Sequence, residues 1–297
     1  MSNELIKITE FAPVEKRMQE AGFSIEKVKQ EVSFALQLIN KSAQLQKCSK
    51  ESLQQAVLNI SNIGLSLNPA AKEAYLIPRW NGVLKIMEAS LEPGYVGLVK
   101  LLTDAGSVKS MVCQLVYEGD TFEIDLANNM QPVTHKPELS RAKKGNIKGA
   151  YALATLIDNT RQVEFMDVEE IDGIRGRSET YKAYLENKIK SCTWVSDYGE
   201  MARKTVIKRI YKYLPRTERM DQIDEAIKQD NSDFTASDSQ VYYIENLLNN
   251  STLEERQRAQ IEMELPVMGS QRANEVINML KMNQQLSDKE TLKRIQS

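Results

Sequence analysis

The chain has 297 residues, of which 41% are apolar and 27% charged, and its formal net charge is −2. This composition is typical of a globular protein with a sizeable core, and it excludes a chain that is disordered throughout. The three cysteines, Cys48, Cys113 and Cys192, are far apart, which favours reduced, mostly buried thiols over disulfides or zinc. The sequence shows neither a signal pattern nor an apolar run of ~18 residues, so we expect a cytoplasmic protein without a membrane partner.

The first part of the chain is predicted to alternate helices with β-hairpins. Residues 25–63 carry apolar side chains at helical spacing, with Ser52 as a candidate cap and Gly64 as the helix end. Residues 94–105 form a further predicted helix, and Asp167 caps the start of another. Three hairpins are predicted from apolar runs on either side of turn residues: 74–80 with 83–88 around Asn81-Gly82, 108–116 with 121–126 around 118–120, and 149–157 with 162–166 around 158–160.

Positive charge is concentrated in one later segment. Residues 175–219 contain twelve Lys or Arg and five Asp or Glu, whereas the residues after Met220 are predominantly acidic. Within this segment, residues 194–215 are predicted to form one helix with an apolar stripe of Tyr198, Ala202, Val206, Ile210 and Tyr213. Lys204, Lys208 and Lys212 lie one turn apart on nearly the opposite side. We therefore expect a helix that presents a line of cations to a polyanion.

The C-terminal part is predicted to be a separate module. Residues 231–238 (NSDFTASD) are polar and predict a linker. Residues 239–248, 252–265 and 270–282 each show helical periodicity. The sequence thus predicts an α+β fold of antiparallel β-hairpins packed on helices, followed by a small all-helical module over residues 239–297.

Catalytic chemistry finds little support in the sequence. A P-loop motif is absent, and the lone His135 cannot form a two-histidine metal site, although a general-base role for it stays open. An acidic run from Asp167 to Asp172 could hold a metal, but the start of a helix also explains it.

The basic helix lacks balancing acids at i,i+4, and a second basic patch lies in a predicted loop over 128–146. Cations with interleaved aromatic residues are typical of sequence-independent single-strand binding.

Seven motifs in one order carry a resemblance to a known family: GLSLNPAAKEAYLIPR from Gly64, PGYVGLVKL from Pro93, MVCQLVYEGDTFEID from Met111, VTHKP from Val133, KGAYALATL from Lys148, VEFMDVEEI from Val163, and WVSDYGEMARKTVIKRIYKYLP from Trp194. With them the chain resembles the RecT family of phage single-strand annealing proteins, which is related more distantly to the Redβ group. The resemblance extends over about residues 51–215. Val96 departs from the family pattern, which usually has a basic or polar residue there, so we assign it no DNA contact.

The resemblance implies a DNA-binding recombination protein that is not a hydrolytic enzyme. Such a protein anneals complementary single strands without ATP, as an oligomeric ring or filament, in the cytoplasm of a bacterial host cell. Its expected partners are single-stranded DNA, annealed duplex, an exonuclease and the host single-strand DNA-binding protein. No cofactor is expected to be required, and Mg²⁺ is a candidate modulator of DNA binding or assembly. Residues 1–230 would bind DNA and oligomerise. The tail after Asp230 lies outside the resemblance. The acidic residues over 221–238 would keep DNA away from it, which leaves residues 239–297 free to bind protein partners.

The expected DNA contacts follow from matching the basic residues to the family motifs and to the basic patches. Lys204 and Arg209 lie in the last motif and are the first candidates. The remaining candidates are Lys208, Lys212, Arg203, Arg79, Lys143, Lys144, Lys148 and Trp194, of which Trp194 could instead hold the start of its helix. Two other functions stay open: a metal-dependent DNA-processing enzyme such as a nuclease, and a structural oligomer without DNA activity.

Overall fold

A computed structural model of the chain describes residues 8–81, 85–218, 220–230, 238–249, 251, 253, 255–265, 268, 272–273 and 275–283. The α-helices are α1 (Ala12–Glu20), α2 (Ile25–Lys41), α3 (Lys50–Ile63), α4 (Tyr95–Asp104), α5 (Val168–Arg175), α6 (Glu179–Leu185), α7 (Thr193–Ser196), α8 (Tyr198–Ile210), α9 (Asp221–Asp230), α10 (Asp238–Asn249) and α11 (Glu255–Glu264). The strands are β1 (Ala74–Asn81), β2 (Ile86–Pro93), β3 (Ser110–Tyr117), β4 (Thr121–Ile124), β5 (Val133–Lys136), β6 (Ile147–Thr155) and β7 (Arg161–Asp167). The α+β prediction is confirmed.

The seven strands pair antiparallel with one another, in sheets ordered β1-β2, β3-β6-β7 and β4-β5, and one isolated parallel bridge joins Cys48 to Met87 of β2. The first and third predicted hairpins are confirmed as β1–β2 and β6–β7. The two-residue turn predicted for the first hairpin is wrong, because Asn81 still belongs to β1 and pairs with Ile86. Residues 82–84 of that turn lie outside the described residues.

The second predicted hairpin is wrong. The chain does turn after β3, where the Asp120 amide donates to the Tyr117 carbonyl at 3.0 Å. However, β3 pairs with β6, and β4 pairs with β5, which lies inside the predicted loop over 128–146. The β4–β5 hairpin places Phe122 against Tyr151 and Phe165 of the central sheet, with ring centroids 5.2 and 5.3 Å apart. The packing of these rings buries apolar area between the β4–β5 hairpin and the face of the central sheet.

The central sheet β3-β6-β7 has α8 on its other face. Cys113 on β3 donates its thiol hydrogen to the Arg203 carbonyl of α8 at 3.5 Å, and burial raises the pKa of that thiol to about 12. Alanines 150, 152 and 154 of β6 are buried and small, so the helix can lie close to the sheet. All three cysteines are buried and free, as the sequence predicted.

The N-terminal helices are fixed by local capping. Ser49, and not the predicted Ser52, caps α3 by accepting from the Ser52 amide at 3.3 Å. The Ser52 hydroxyl instead accepts from the Ala89 amide of β2 at 2.9 Å and so joins α3 to the first hairpin. Gly64 ends α3 at φ 73°, a left-handed conformation that favours glycine, which confirms the predicted end of the helix.

Two of the family-like motifs have structural explanations. The GLSLNP segment is held by Glu31 of α2, whose fully buried carboxylate accepts from the Ser66 hydroxyl at 2.6 Å and the Leu67 amide at 2.8 Å. In PGYVGL, a Cβ on Gly97 would lie 2.2 Å from the Glu73 carbonyl oxygen. Only glycine allows α4 to approach the backbone before β1 this closely.

The C-terminal helices have their own apolar cluster. Helix α10, helix α11 and the helical residues 275–283 bury a set of side chains that includes Ile244, Leu248, Ile261, Val276 and Leu280. The predicted linker lies outside the described residues except for Asp238, which begins α10. The division into an annealing domain and a partner-binding module stays a prediction. None of the described helices is long and apolar enough to cross a membrane.

Candidate nucleic-acid interface

The predicted helix over residues 194–215 is divided into three pieces. Helix α7 ends at Ser196, α8 follows after Asp197, and residues Tyr211–Tyr213 form a 3₁₀ turn. The central apolar stripe is confirmed, since Ala202, Val206 and Ile210 are buried. The prediction that Tyr213 belongs to this stripe is wrong, because its side chain is 67% exposed. The change from α-helix to 3₁₀ geometry alters the angular spacing after Ile210 and rotates Tyr213 out of the stripe.

The predicted line of solvent-facing cations is wrong for Lys204. This residue is only 7% exposed, and its ammonium group forms an ion pair with the Asp230 carboxylate. Glu92 of β2 lies 3.7 Å from the same ammonium group. Burial alone would lower the pKa of Lys204, but the charges of Asp230 and Glu92 outweigh it and hold the pKa above its usual value. Lys204 is therefore a buried cation in this structure.

Lys204 is part of an ion cluster that we call the Asp230 cluster, formed by Arg79, Glu92, Lys204, Lys208 and Asp230. The second carboxylate oxygen of Asp230 accepts from Lys208 at 2.8 Å, and Arg79 pairs with Glu92. Burial alone would raise the pKa of Asp230, but the two lysines hold it below its usual value. Two of these five residues, Glu92 and Asp230, were missed by the sequence reasoning because they come from elements remote from α8.

The other two cations of α8 are also paired. Arg209 donates to Glu170 of α5 at 2.6 Å and lies 3.7 Å from Glu164 of β7. The hydrogen bond to Glu170 raises the pKa of the Arg209 guanidinium. Arg203 pairs with Glu200 at 2.9 Å, and its guanidinium lies over the Tyr95 ring. These contacts join α8 to the elements around it.

Trp194 occupies a buried position. Its side chain is 3% exposed and its ring lies 6.4 Å from that of Tyr198, within the main apolar cluster. A ring so enclosed cannot stack on a base without a rearrangement. Its geometry supports the alternative that Trp194 holds the start of the helical region.

Exposed positive charge is found instead in residues 136–148, which we call the basic segment. It contains five Lys or Arg and a single acid, Glu138. Four of its cations are exposed: Lys136, Arg141, Lys143 and Lys148. Lys144 is partly buried, with its ammonium group 3.9 Å from the centroid of the Tyr117 ring. Within the described residues, none of the five forms an ion pair, so their charge is available to a ligand.

The basic segment is anchored to the turn between β3 and β4. The Asn146 amide donates to the Glu118 carboxylate at 2.9 Å, and the Gly119 amide donates to the Lys144 carbonyl at 3.0 Å. The Asp120 carboxylate accepts from the Glu138 amide at 2.8 Å. These hydrogen bonds constrain the segment, and a binding segment that is already constrained loses less entropy when it binds.

His135 and the acidic run near Asp167 have structural contacts. His135 lies between the Asp120 carboxylate at 3.0 Å and the Tyr151 hydroxyl at 3.3 Å. Burial would raise the pKa of Asp120, but hydrogen bonds from two backbone amides and from His135 lower it. Asp167 and Glu170 form the capping box of α5. No group of three His, Cys, Asp or Glu side chains among the described residues is arranged to hold a metal ion.

A shallow groove of about 410 Å³ lies beside the end of α8. Its lining includes Tyr213, Arg161 and Leu126, all of which are exposed. Lys212, next to Tyr213, is exposed and forms no ion pair with any residue that the structure describes. Arg161 was missed by the sequence reasoning, since one arginine at the start of a strand gives no signal.

Similarity to known proteins covers most of these elements. The model of the RecT family matches residues 29–239, which includes every strand and all helices from α3 to α9. The chain is also 30% identical to a protein named Protein RecT from Escherichia coli (strain K12) over 179 residues, which are 60% of this chain and 62% of that protein. The match thus spans less than two thirds of the relative's length.

Proposed function

Because the chain belongs to the RecT family, we propose that it binds single-stranded DNA and anneals complementary strands without hydrolysing ATP. On this proposal it acts in homologous recombination, as a ring or filament of identical subunits in the cytoplasm of a bacterial host. An exonuclease would supply the strand, and the C-terminal helices would contact that exonuclease or the host single-strand DNA-binding protein. No cofactor is required in this mechanism, and Mg²⁺ is proposed only as a modulator of binding or assembly.

The observation that carries the proposal is the basic segment. Its exposed cations lie on an anchored stretch of the chain, whereas the four cations of α8 are paired with acids within the fold. Exposed lysines and arginines without acidic partners attract a polyanion and release its counterions on binding. Annealing makes no covalent bond, so it requires reduced repulsion between phosphates and exposed base edges rather than an acid, a base or a metal.

The structure changes the order of the proposed contacts. Lys143, Lys148 and Lys212 are exposed and are proposed as the first phosphate contacts. Lys144 is proposed to add a contact from beside Tyr117. The cations engaged in ion pairs (Lys204, Lys208, Arg79, Arg203 and Arg209) can contact phosphate only if their carboxylate partners are displaced. Trp194 is proposed to hold the helical region and not to stack on bases.

The proposal is tested by removing two charges from the basic segment. The double variant Lys143→Ala, Lys148→Ala should bind a fluorescent oligothymidine more weakly. The loss of two phosphate contacts should reduce the magnitude of the slope of log K against log salt by ~1.4. This change in slope corresponds to roughly a 25-fold loss of affinity at 0.1 M salt. Annealing of complementary oligonucleotides should slow in parallel.

The matched control is Lys29→Ala, Lys41→Ala. These lysines are exposed on α2 and, like the test pair, form no ion pair with a described residue. The control changes net charge equally, so equal effects of both double variants would refute the assignment of the interface. Cleavage of DNA by the wild type with Mg²⁺ would favour a nuclease, and absence of any DNA binding would favour a purely structural oligomer.

A further inference from the structure

The shallow groove beside the end of α8 is built from three parts of the fold. Its lining includes Ile210 and Tyr213 from the end of α8 and the 3₁₀ turn, residues 161–164 of β7, and Leu126 and Asn129 from the loop between β4 and β5. The loop is tied to the strand, because the Arg161 amide donates to the Asn129 carbonyl at 2.7 Å. The groove is thus formed without a ligand, which lowers the entropic cost of filling it.

Tyr213 contributes an aromatic ring to this groove that the fold itself does not use. Tyr211, two residues earlier in the same turn, is buried, and its hydroxyl is hydrogen-bonded to Asp224. Tyr213 is exposed, and its hydroxyl forms no hydrogen bond with any residue that the structure describes. Leu214, the next residue, is buried and anchors the turn. The ring of Tyr213 is therefore held at the groove with much of its surface open to a ligand.

Two cations accompany the Tyr213 ring. Arg161 lines the groove and Lys212 precedes Tyr213 in the chain; both are exposed, and neither forms an ion pair with a described residue. The lining also contains an acid, Glu164, whose charge is offset by the Arg209 guanidinium at 3.7 Å. An aromatic ring beside cations suits a nucleotide of a single strand, since the ring stacks on the base and the cations attract its phosphates.

The β4–β5 hairpin connects the groove with the basic segment. The loop of the hairpin lines the groove, and the basic segment begins at the opposite end of β5, with Lys136. Strand β5 has four residues, and at ~3.3 Å per residue its two ends lie roughly 10 Å apart. A strand whose phosphates contact the basic segment can therefore reach the groove with one of its bases.

We propose that this groove binds one nucleobase of a DNA single strand, stacked on the Tyr213 ring, with Arg161 and Lys212 facing the adjoining phosphates. This inference rests on the proposed single-strand binding and adds to it a contact that depends on the base. A base inside a duplex is stacked between its neighbours, so it must be unstacked at a cost in free energy before Tyr213 can contact its face. The groove therefore favours an unpaired strand over a duplex.

The test measures the affinity of Tyr213→Ala for oligothymidine and for an abasic strand of the same length by fluorescence anisotropy. Tyr213→Ala should bind oligothymidine roughly 5- to 150-fold more weakly, the range for one lost base stack, and should bind the abasic strand as the wild type does. Tyr213→Phe keeps the ring and should bind both strands normally. The matched control is Tyr242→Ala, which removes a tyrosine of similar exposure, 68%, from α10.

Salt dependence separates stacking from charge. Tyr213→Ala should keep the salt slope of the wild type, because no phosphate contact is lost. Lys212→Ala should reduce the magnitude of that slope by ~0.7, because one phosphate contact is lost.

Equal affinities of Tyr213→Ala and Tyr242→Ala for oligothymidine, with a wild type that binds it, would refute this inference and leave the proposed function intact. An equal loss on the abasic strand would also overturn it, since Tyr213 would then support the fold and not contact a base. If affinity is unchanged but sedimentation shows altered assembly, a second copy of the chain covers the groove, and the inference fails. A wild type that binds neither strand would refute the proposed function as well.

Discussion

Replacement of Lys204 by alanine should destabilise the fold although the residue is a charged position on a basic helix. The substitution leaves two carboxylates in the Asp230 cluster with one cation fewer. Removing one partner of a buried ion pair costs about 3–5 kcal/mol. We place the cost near the lower end, about 3 kcal/mol, because Lys208 still pairs with Asp230 and Arg79 with Glu92. For a chain of this size the melting temperature should fall by roughly 6–12 °C.

Thermal unfolding followed by circular dichroism at pH 7 measures this effect. The matched control is Lys212→Ala, which removes the same side chain from the exposed 3₁₀ turn after α8 and should shift the melting temperature by less than about 2 °C. If Lys204→Ala has the same melting temperature as the wild type, the cluster contributes nothing to stability and the reasoning fails. A double-mutant cycle of Lys204→Ala with Asp230→Asn should give a coupling of about 1–3 kcal/mol, since each residue contacts the other directly.

Two further predictions concern packing and pH. Gly97→Ala should lower the free energy of unfolding by about 3 kcal/mol, because the new Cβ would meet the Glu73 carbonyl. Gly173→Ala, in the open interior of α5, should instead raise it by about 0.5–1 kcal/mol. Chemical denaturation measures both values, and a comparable loss of stability in the two variants would contradict this reasoning. Because the pKa of Asp230 is lowered in the folded state, Asp230 stabilises the fold above about pH 4, and this stabilisation is lost as the pH falls below that value. Because the pKa of Lys204 is raised in the folded state, the stabilisation by Lys204 is lost as the pH rises above about 10.4. Melting temperature against pH should therefore fall at both ends in the wild type and be flatter below pH 4 in Asp230→Asn.

The sequence predicted the elements whose signals are local. The Asp167 cap, the left-handed Gly64 and the β6–β7 turn each depend on a few neighbouring residues, and the structure confirms all three. The pairing of β3 with β6 could not be found in this way. Its partners are far apart in the chain, and the intervening β4–β5 hairpin is selected by the packing of Phe122 on the sheet.

The ion pairing of the cations on the basic helix could not be predicted for the same reason. A search for acids at i,i+4 tests only pairs within one helix. Apart from Glu200, which pairs with Arg203 inside α8, the acids that neutralise α8 come from four other elements: β2, β7, α5 and α9. Only the tertiary fold brings these acids to α8, so local charge density overestimated the exposed positive surface.

The anchored ends of the basic segment give the protein a convenient place for a spectroscopic probe. Leu139 is 90% exposed and lies just after Glu138, whose amide is fixed by Asp120. Because the native thiols are all buried, a cysteine introduced at this position would be the only readily alkylated one. A fluorophore there would sit beside the exposed lysines without disturbing the sheet. If the proposed function holds, its emission would report, in real time and on otherwise native protein, when a strand binds and when a second strand pairs with it.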